Sequence, residues 1–76
     1  MAPSADDVLG RVAEVLGVPR ARVRPEVVLT DLVSDSYRLV EMAMELQDDY
    51  DVIFSQADLA EVTTVGDLAN LVRSRA

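Results

Sequence analysis

The chain has 76 residues, half of them hydrophobic and only three aromatic, with seven arginines against fourteen acids for a net charge of −7. That charge opposes binding to nucleic-acid phosphates and anionic membranes and favours partners with basic patches. The absence of cysteine and histidine removes disulfides, Cys/His zinc sites and histidine-based triads.

A chain this short buries roughly 60% of its unfolded surface in one core, so residues 1–76 are expected to form a single domain. Strand formers show no sustained period-2 run, which predicts an all-α fold of small aliphatic helices. Met1 to Asp7 lack the basic and apolar regions of a signal peptide, and no apolar run reaches membrane-spanning length. The expectation is a cytoplasmic protein.

Ser4 with Asp7 three residues on resembles a capping box, and Val8, Leu9, Val12, Val15 and Leu16 form one apolar stripe. Gly17 is a natural stop with Pro19 behind it, which predicts a helix over residues 5–16. Residues 17–35 read as a long connection stiffened by Pro19 and Pro25 and pinned by Val23, Val27, Val28, Leu29 and Leu32. Arg20, Arg22 and Arg24 read as a solvated edge of that loop.

The centre of the chain is Ser34-Asp35-Ser36, followed by a helix predicted from Leu39 to Tyr50. At about 100° per residue, Leu39, Met42, Ala43, Leu46 and Tyr50 share a core face, while Tyr37, Val40 and Met44 lie opposite. Glu41, Glu45 and Asp48 border this second strip, and capping alone explains neither the strip nor its acids. Glu41, Glu45, Asp48 and Asp49 repel one another at i+3 and i+4 spacings, and Asp48, Asp49 and Asp51 sit where the helix dipole disfavours anions. A docking surface explains that pattern better than a solvated face. Asp48-Asp49-Tyr50-Asp51 lacks the glycine and downstream glutamate of an EF-hand loop, and no metal site or catalytic residue set is assigned.

Asp51 to Phe54 reads as an extended link in which Ile53 or Phe54 closes one end of the core. Ser55 with Asp58 predicts a short helix to about Glu61. Thr64 with Asp67 predicts a last helix to about Arg73, with Val65, Leu68, Ala69 and Val72 facing inward.

The stretch Asp31-Leu32-Val33-Ser34-Asp35-Ser36-Tyr37, followed by Val40-Glu41, Leu46, Tyr50 and Asp51, resembles the acyl carrier protein family around its Asp-Ser-Leu attachment motif. Similarity continues through Val62-Thr63-Thr64-Val65-Gly66-Asp67-Leu68 and covers essentially the whole chain. The resemblance implies a right-handed four-helix bundle, three main helices and one short, with a long loop between the first two. It implies a 4′-phosphopantetheine arm on Ser36, attached from coenzyme A by a Mg²⁺-dependent phosphopantetheinyl transferase, that holds acyl groups as thioesters.

On the same basis Asp35 would be the acidic neighbour offered to partners, Glu41 the acidic recognition position, Val40 and Met44 the exposed apolar ones, and Glu45 and Asp48 the acidic border. Partners would be the transferase and acyltransferases, ketosynthases or ligases with basic patches, acting on a monomer. Tyr37 stands where leucine is usual, Val33 where glycine is usual, and Arg38 adds a cation beside the attachment serine, so Tyr37 and Arg38 alter the first contact surface. These departures and the exclusive use of arginine lean toward polyketide or other specialised biosynthesis. A fatty-acid carrier, a peptidyl carrier and an unmodified helical adaptor that binds a partner through its central helix are the alternatives.

Overall fold

The structure, a computed structural model, describes residues 3–76; Met1 and Ala2, which open the segment read for a leader signal, lie outside the described residues. In chain order the helices are α1 (Ala5–Leu16), a 3-10 turn (Arg20–Arg22), α2 (Leu29–Leu32), α3 (Ser36–Tyr50), α4 (Gln56–Glu61) and α5 (Val65–Arg75). Three reciprocal caps set where α1, α4 and α5 begin. Ser4 Oγ accepts from Asp7 N at 3.1 Å while the Asp7 carboxylate accepts from Ser4 N at 3.2 Å. Ser55 and Asp58 repeat the pattern at 3.0 Å both ways, and Thr64 and Asp67 at 3.1 Å. Each satisfies two backbone donors that a helix start leaves free.

One apolar cluster holds the helices together. Val8, Leu9, Val12, Ala13 and Leu16 of α1 meet Met42, Ala43 and Leu46 of α3 and Val65, Leu68, Ala69 and Val72 of α5. α1 packs on both partners. Among the described residues no polar or charged side chain is buried, so hydrophobic burial at about 25 cal/mol per Å² is the main stabilising term.

The long connection is more structured than its sequence suggests. Besides the 3-10 turn, it contains the single-turn α2, too short to leave a periodic stripe and without a side-chain cap. Its register comes from elsewhere in the chain. Leu29 N donates to Thr63 O at 3.0 Å, Val65 N to Val27 O at 2.9 Å and Gly66 N to Pro25 O at 2.9 Å, and Val28 and Thr64 form an antiparallel bridge. These bonds clasp the loop to the start of α5. Gly66 is needed for the close approach, because a Cβ there would lie 2.9 Å from the Pro25 carbonyl oxygen.

Other differences from expectation have local causes. α3 begins at Ser36 rather than Leu39 because Asp35 caps it there. α5 extends to Arg75, whose guanidinium pairs with Asp58 of α4 at 2.6 Å. Phe54, not Ile53, closes the core: Phe54 N donates to Gln47 Oε1 at 2.8 Å, which turns the ring inward and leaves Ile53 84% exposed. Asp51 ends α3 in the left-handed region at φ 54°, a conformation that a short polar side chain tolerates.

Two predictions follow from these contacts. Gly66→Ala should lower unfolding free energy by about 1–3 kcal/mol, as overpacking against backbone does, measured by urea denaturation. The second concerns acid. Backbone donors of Ser55 to Asp58, and of Thr64 and Thr63 to Asp67, hold both carboxyls below the usual aspartate range. Their stabilisation is complete above the unfolded value of about 3.9 and is lost as pH falls through the lower folded values. The melting temperature should therefore stay level from about pH 7 to about pH 5 and drop below about pH 4, with a shallower drop in the Asp58→Asn, Asp67→Asn double variant.

Candidate functional site

Ser34, Asp35 and Ser36 are all competent N-caps, and one of them takes the task. Asp35 Oδ1 accepts from Tyr37 N at 2.9 Å, with the backbone at Asp35 extended as an N-cap requires. Ser36 is thereby the first residue inside α3, exposed, and its hydroxyl makes no hydrogen bond among the described residues. It stands at the positive end of the helix, and no acid beyond the Asp35 cap occupies that first turn. The arrangement suits a primary hydroxyl that receives an anionic group from another protein. Its acidic neighbour Asp35 is engaged with the Tyr37 amide.

The outer face of α3 carries the predicted strip. Tyr37, Val40 and Met44 are 69%, 52% and 58% exposed, opposite the buried Met42, Ala43 and Leu46. Glu41, Glu45 and Asp48 are exposed along one side of the strip only. The other side opens onto an apolar cleft of about 270 Å³, where Leu39, Val40, Met42 and Ala43 of α3 face Leu59 and Val62 at the far wall. Leu39 and Val40 follow Ser36 at i+3 and i+4, so the mouth of the cleft is one turn from the serine hydroxyl. Ile53 and Leu59 add exposed apolar surface outside the predicted strip. The alternation of an extended link hinted at Ile53, whereas the exposure of Leu59 depends on how the short α4 lies.

The acidic side of α3 meets α1 across a groove lined by Arg11, Glu14, Val15, Arg38, Glu41 and Glu45. Arg11 holds several carboxylates at once. Its Nε and Nη2 donate to Asp49, its Nη1 donates to Glu14 at 3.1 Å, and Nη2 lies 3.7 Å from Glu45. The bonds to Asp49, then Glu14, hold this guanidinium above its ordinary pKa. Part of the acid cluster read as a docking surface is thus neutralised inside the fold. The Arg11–Glu14 spacing is visible in the sequence; the partnership with Asp49, 38 residues away, is not.

Arg38 also has an internal role. Its Nη2 donates to the Leu16 carbonyl at 3.1 Å, at the negative end of α1, whose last turn contains no basic residue of its own. The cation expected beside the serine is turned toward α1 instead. Arg20 similarly ties the loop down, to Asp6 at 3.1 Å and to the Val23 carbonyl at 2.6 Å. Among the described residues no cluster of His, Cys, Asp or Glu could hold a metal ion, and no helix is long and apolar enough to cross a membrane.

The profile of the phosphopantetheine attachment site family matches residues 6–72, a span that contains Ser36. The chain is similar to the acyl carrier protein of Thermotoga maritima, 32% identical over 65 residues that cover 84% of this chain and 80% of that protein.

The division between cap and free hydroxyl is testable by stability. Asp35→Ala should cost about 1 kcal/mol, the usual value of a lost N-cap, whereas Ser36→Ala should stay within about 0.5 kcal/mol of the parent. Urea unfolding of the two variants measures both.

Proposed function

Because the chain belongs to the acyl carrier protein family, whose attachment domain carries a covalent 4′-phosphopantetheine, we propose that Ser36 holds that arm and that α3 presents its acyl cargo to partner enzymes. The observation that carries this reading is Ser36 itself: exposed, first in its helix, and relieved of capping by Asp35. The residues fit the group. A phosphodiester on the Ser36 hydroxyl places its negative charge at the positive end of α3, where an anion is favoured.

The arm supplies the reactive thiol when bound, which accords with a chain that has no cysteine. The chain's own side chains position and identify it. Asp35, Tyr37, Val40, Glu41, Met44, Glu45 and Asp48 form the surface that a phosphopantetheinyl transferase, and then acyltransferases, ketosynthases or ligases with basic patches, would read. Arg38, exposed beside Tyr37, belongs to the same surface and also fixes α3 against α1 through the Leu16 carbonyl. The apolar cleft beside Val40 gives the cargo's tail a place out of water. The protein acts as a cytoplasmic monomer without catalysis of its own.

The pathway reading is specialised biosynthesis such as polyketide assembly, and it rests on Tyr37. An aromatic residue with a hydroxyl, 69% exposed beside the proposed attachment serine, stands where the family usually has leucine and changes what a synthase meets first. A carrier for fatty-acid synthesis remains the alternative within the same chemistry.

The experiment is intact mass before and after incubation with a broad-specificity phosphopantetheinyl transferase, coenzyme A and Mg²⁺. A gain of one phosphopantetheine that is absent in Ser36→Ala, with helicity unchanged, is the expected result. No gain on the folded parent protein would favour an unmodified adaptor that binds through Tyr37, Val40 and Met44.

A further inference from the structure

α3 displays its carboxylates unequally. Asp48 and Asp49 are adjacent and chemically identical, yet Asp49 accepts from both Nε and Nη2 of Arg11, whereas Asp48 has no ion pair among the described residues. Glu41 is likewise without an ion pair there, while Glu45 lies within 3.7 Å of the same guanidinium. Arg11 is itself fastened by a further carboxylate, Glu14, on its own helix. One cation on α1 thus occupies, from inside the fold, acids that a partner's arginine or lysine would otherwise take.

The geometry points to Arg11 as a specificity-determining residue for docking. By holding Asp49 and part of Glu45, it leaves Glu41 and Asp48, the acids beside the Val40–Met44 strip, as the carboxylates that receive a partner's cations. The occupant is a protein surface that sets arginine or lysine next to an apolar patch, which complements an exposed aliphatic strip with acids along one side and a chain of net charge −7. Arg11 narrows the acidic face to the acids next to the strip, so a partner with a broad basic patch but no apolar contact gains less from docking. This inference rests on the reading of α3 as the docking helix of a carrier.

The test is steady-state loading of the full chain by a phosphopantetheinyl transferase at low and high ionic strength, where the Debye length falls from about 30 Å to about 3 Å. Arg11→Gln, which frees Asp49 and Glu45, should lower KM by about two- to fivefold at low ionic strength, the size of an exposed ion pair. The gain should leave kcat unchanged and disappear at high salt. Asp48→Asn should raise KM by a similar factor, and Asp49→Asn, an equal change of charge one residue away, should stay within about twofold. An unchanged or raised KM in folded Arg11→Gln would overturn the inference. If Arg11→Gln does not fold, the aspartate pair decides alone: an equal rise in KM for both variants would overturn it. Loading of the parent with equal effects at Asp48 and Asp49 retains the carrier and removes the role of Arg11; failure to load the parent removes the carrier reading and this inference with it.

Discussion

The path of the long connection that leads into α3 depends on a backbone clasp between two segments far apart in sequence. Pro25, Val27 and Leu29 exchange hydrogen bonds with Thr63, Val65 and Gly66, so the long connection after α1 is anchored to the entrance of α5. Closing a loop of this length has an entropic cost that grows only slowly with its length, and buried Val23 and Leu29 help to offset it. Once that segment is fixed, α2 has a defined exit, and Ser34 to Ser36 meet the bundle at one place. The absence of a side chain on Gly66 permits its contact with Pro25.

α3 then serves two environments along one rod. Its inward stripe joins a core with no buried polar group among the described residues, where only shape and apolar area count. Its outward side divides again, into carboxylates that face α1 and an aliphatic border that faces α4. Arginines tie this half to α1 from both sides: Arg11 reaches across from α1 to Asp49, and Arg38 reaches back to the Leu16 carbonyl. The two contacts run in opposite directions between the same pair of helices and hold α3 in register against α1.

Much of this was legible in the chain. The Ser/Thr-x-x-Asp spacings located the starts of α1, α4 and α5 because each box is a local device completed within four residues. The opposed faces of α3 followed from period alone, since Tyr37, Val40 and Met44 cannot share a side with Leu46. Ser36 emerged from its company rather than from its own type. What escaped the sequence depends on contacts between distant segments. α2 is one turn held by Thr63, Arg11 finds Asp49 on another helix, and Gln47 settles which of Ile53 and Phe54 turns inward. The acids at the end of α3, read as a docking surface in preference to a solvated face, are partly explained by Arg11 and by the left-handed turn at Asp51.

The separation of Asp35 from Ser36 has a consequence for how the protein is used over time. On the proposed reading, the residue that would carry the group is not the residue that caps the helix, so a group on Ser36 would leave the Asp35–Tyr37 hydrogen bond intact. Folding and maturation would then be separable, because the cap that starts α3 is complete without any group on Ser36. An enzyme that installed the group and one that removed it would meet the same capped helix start.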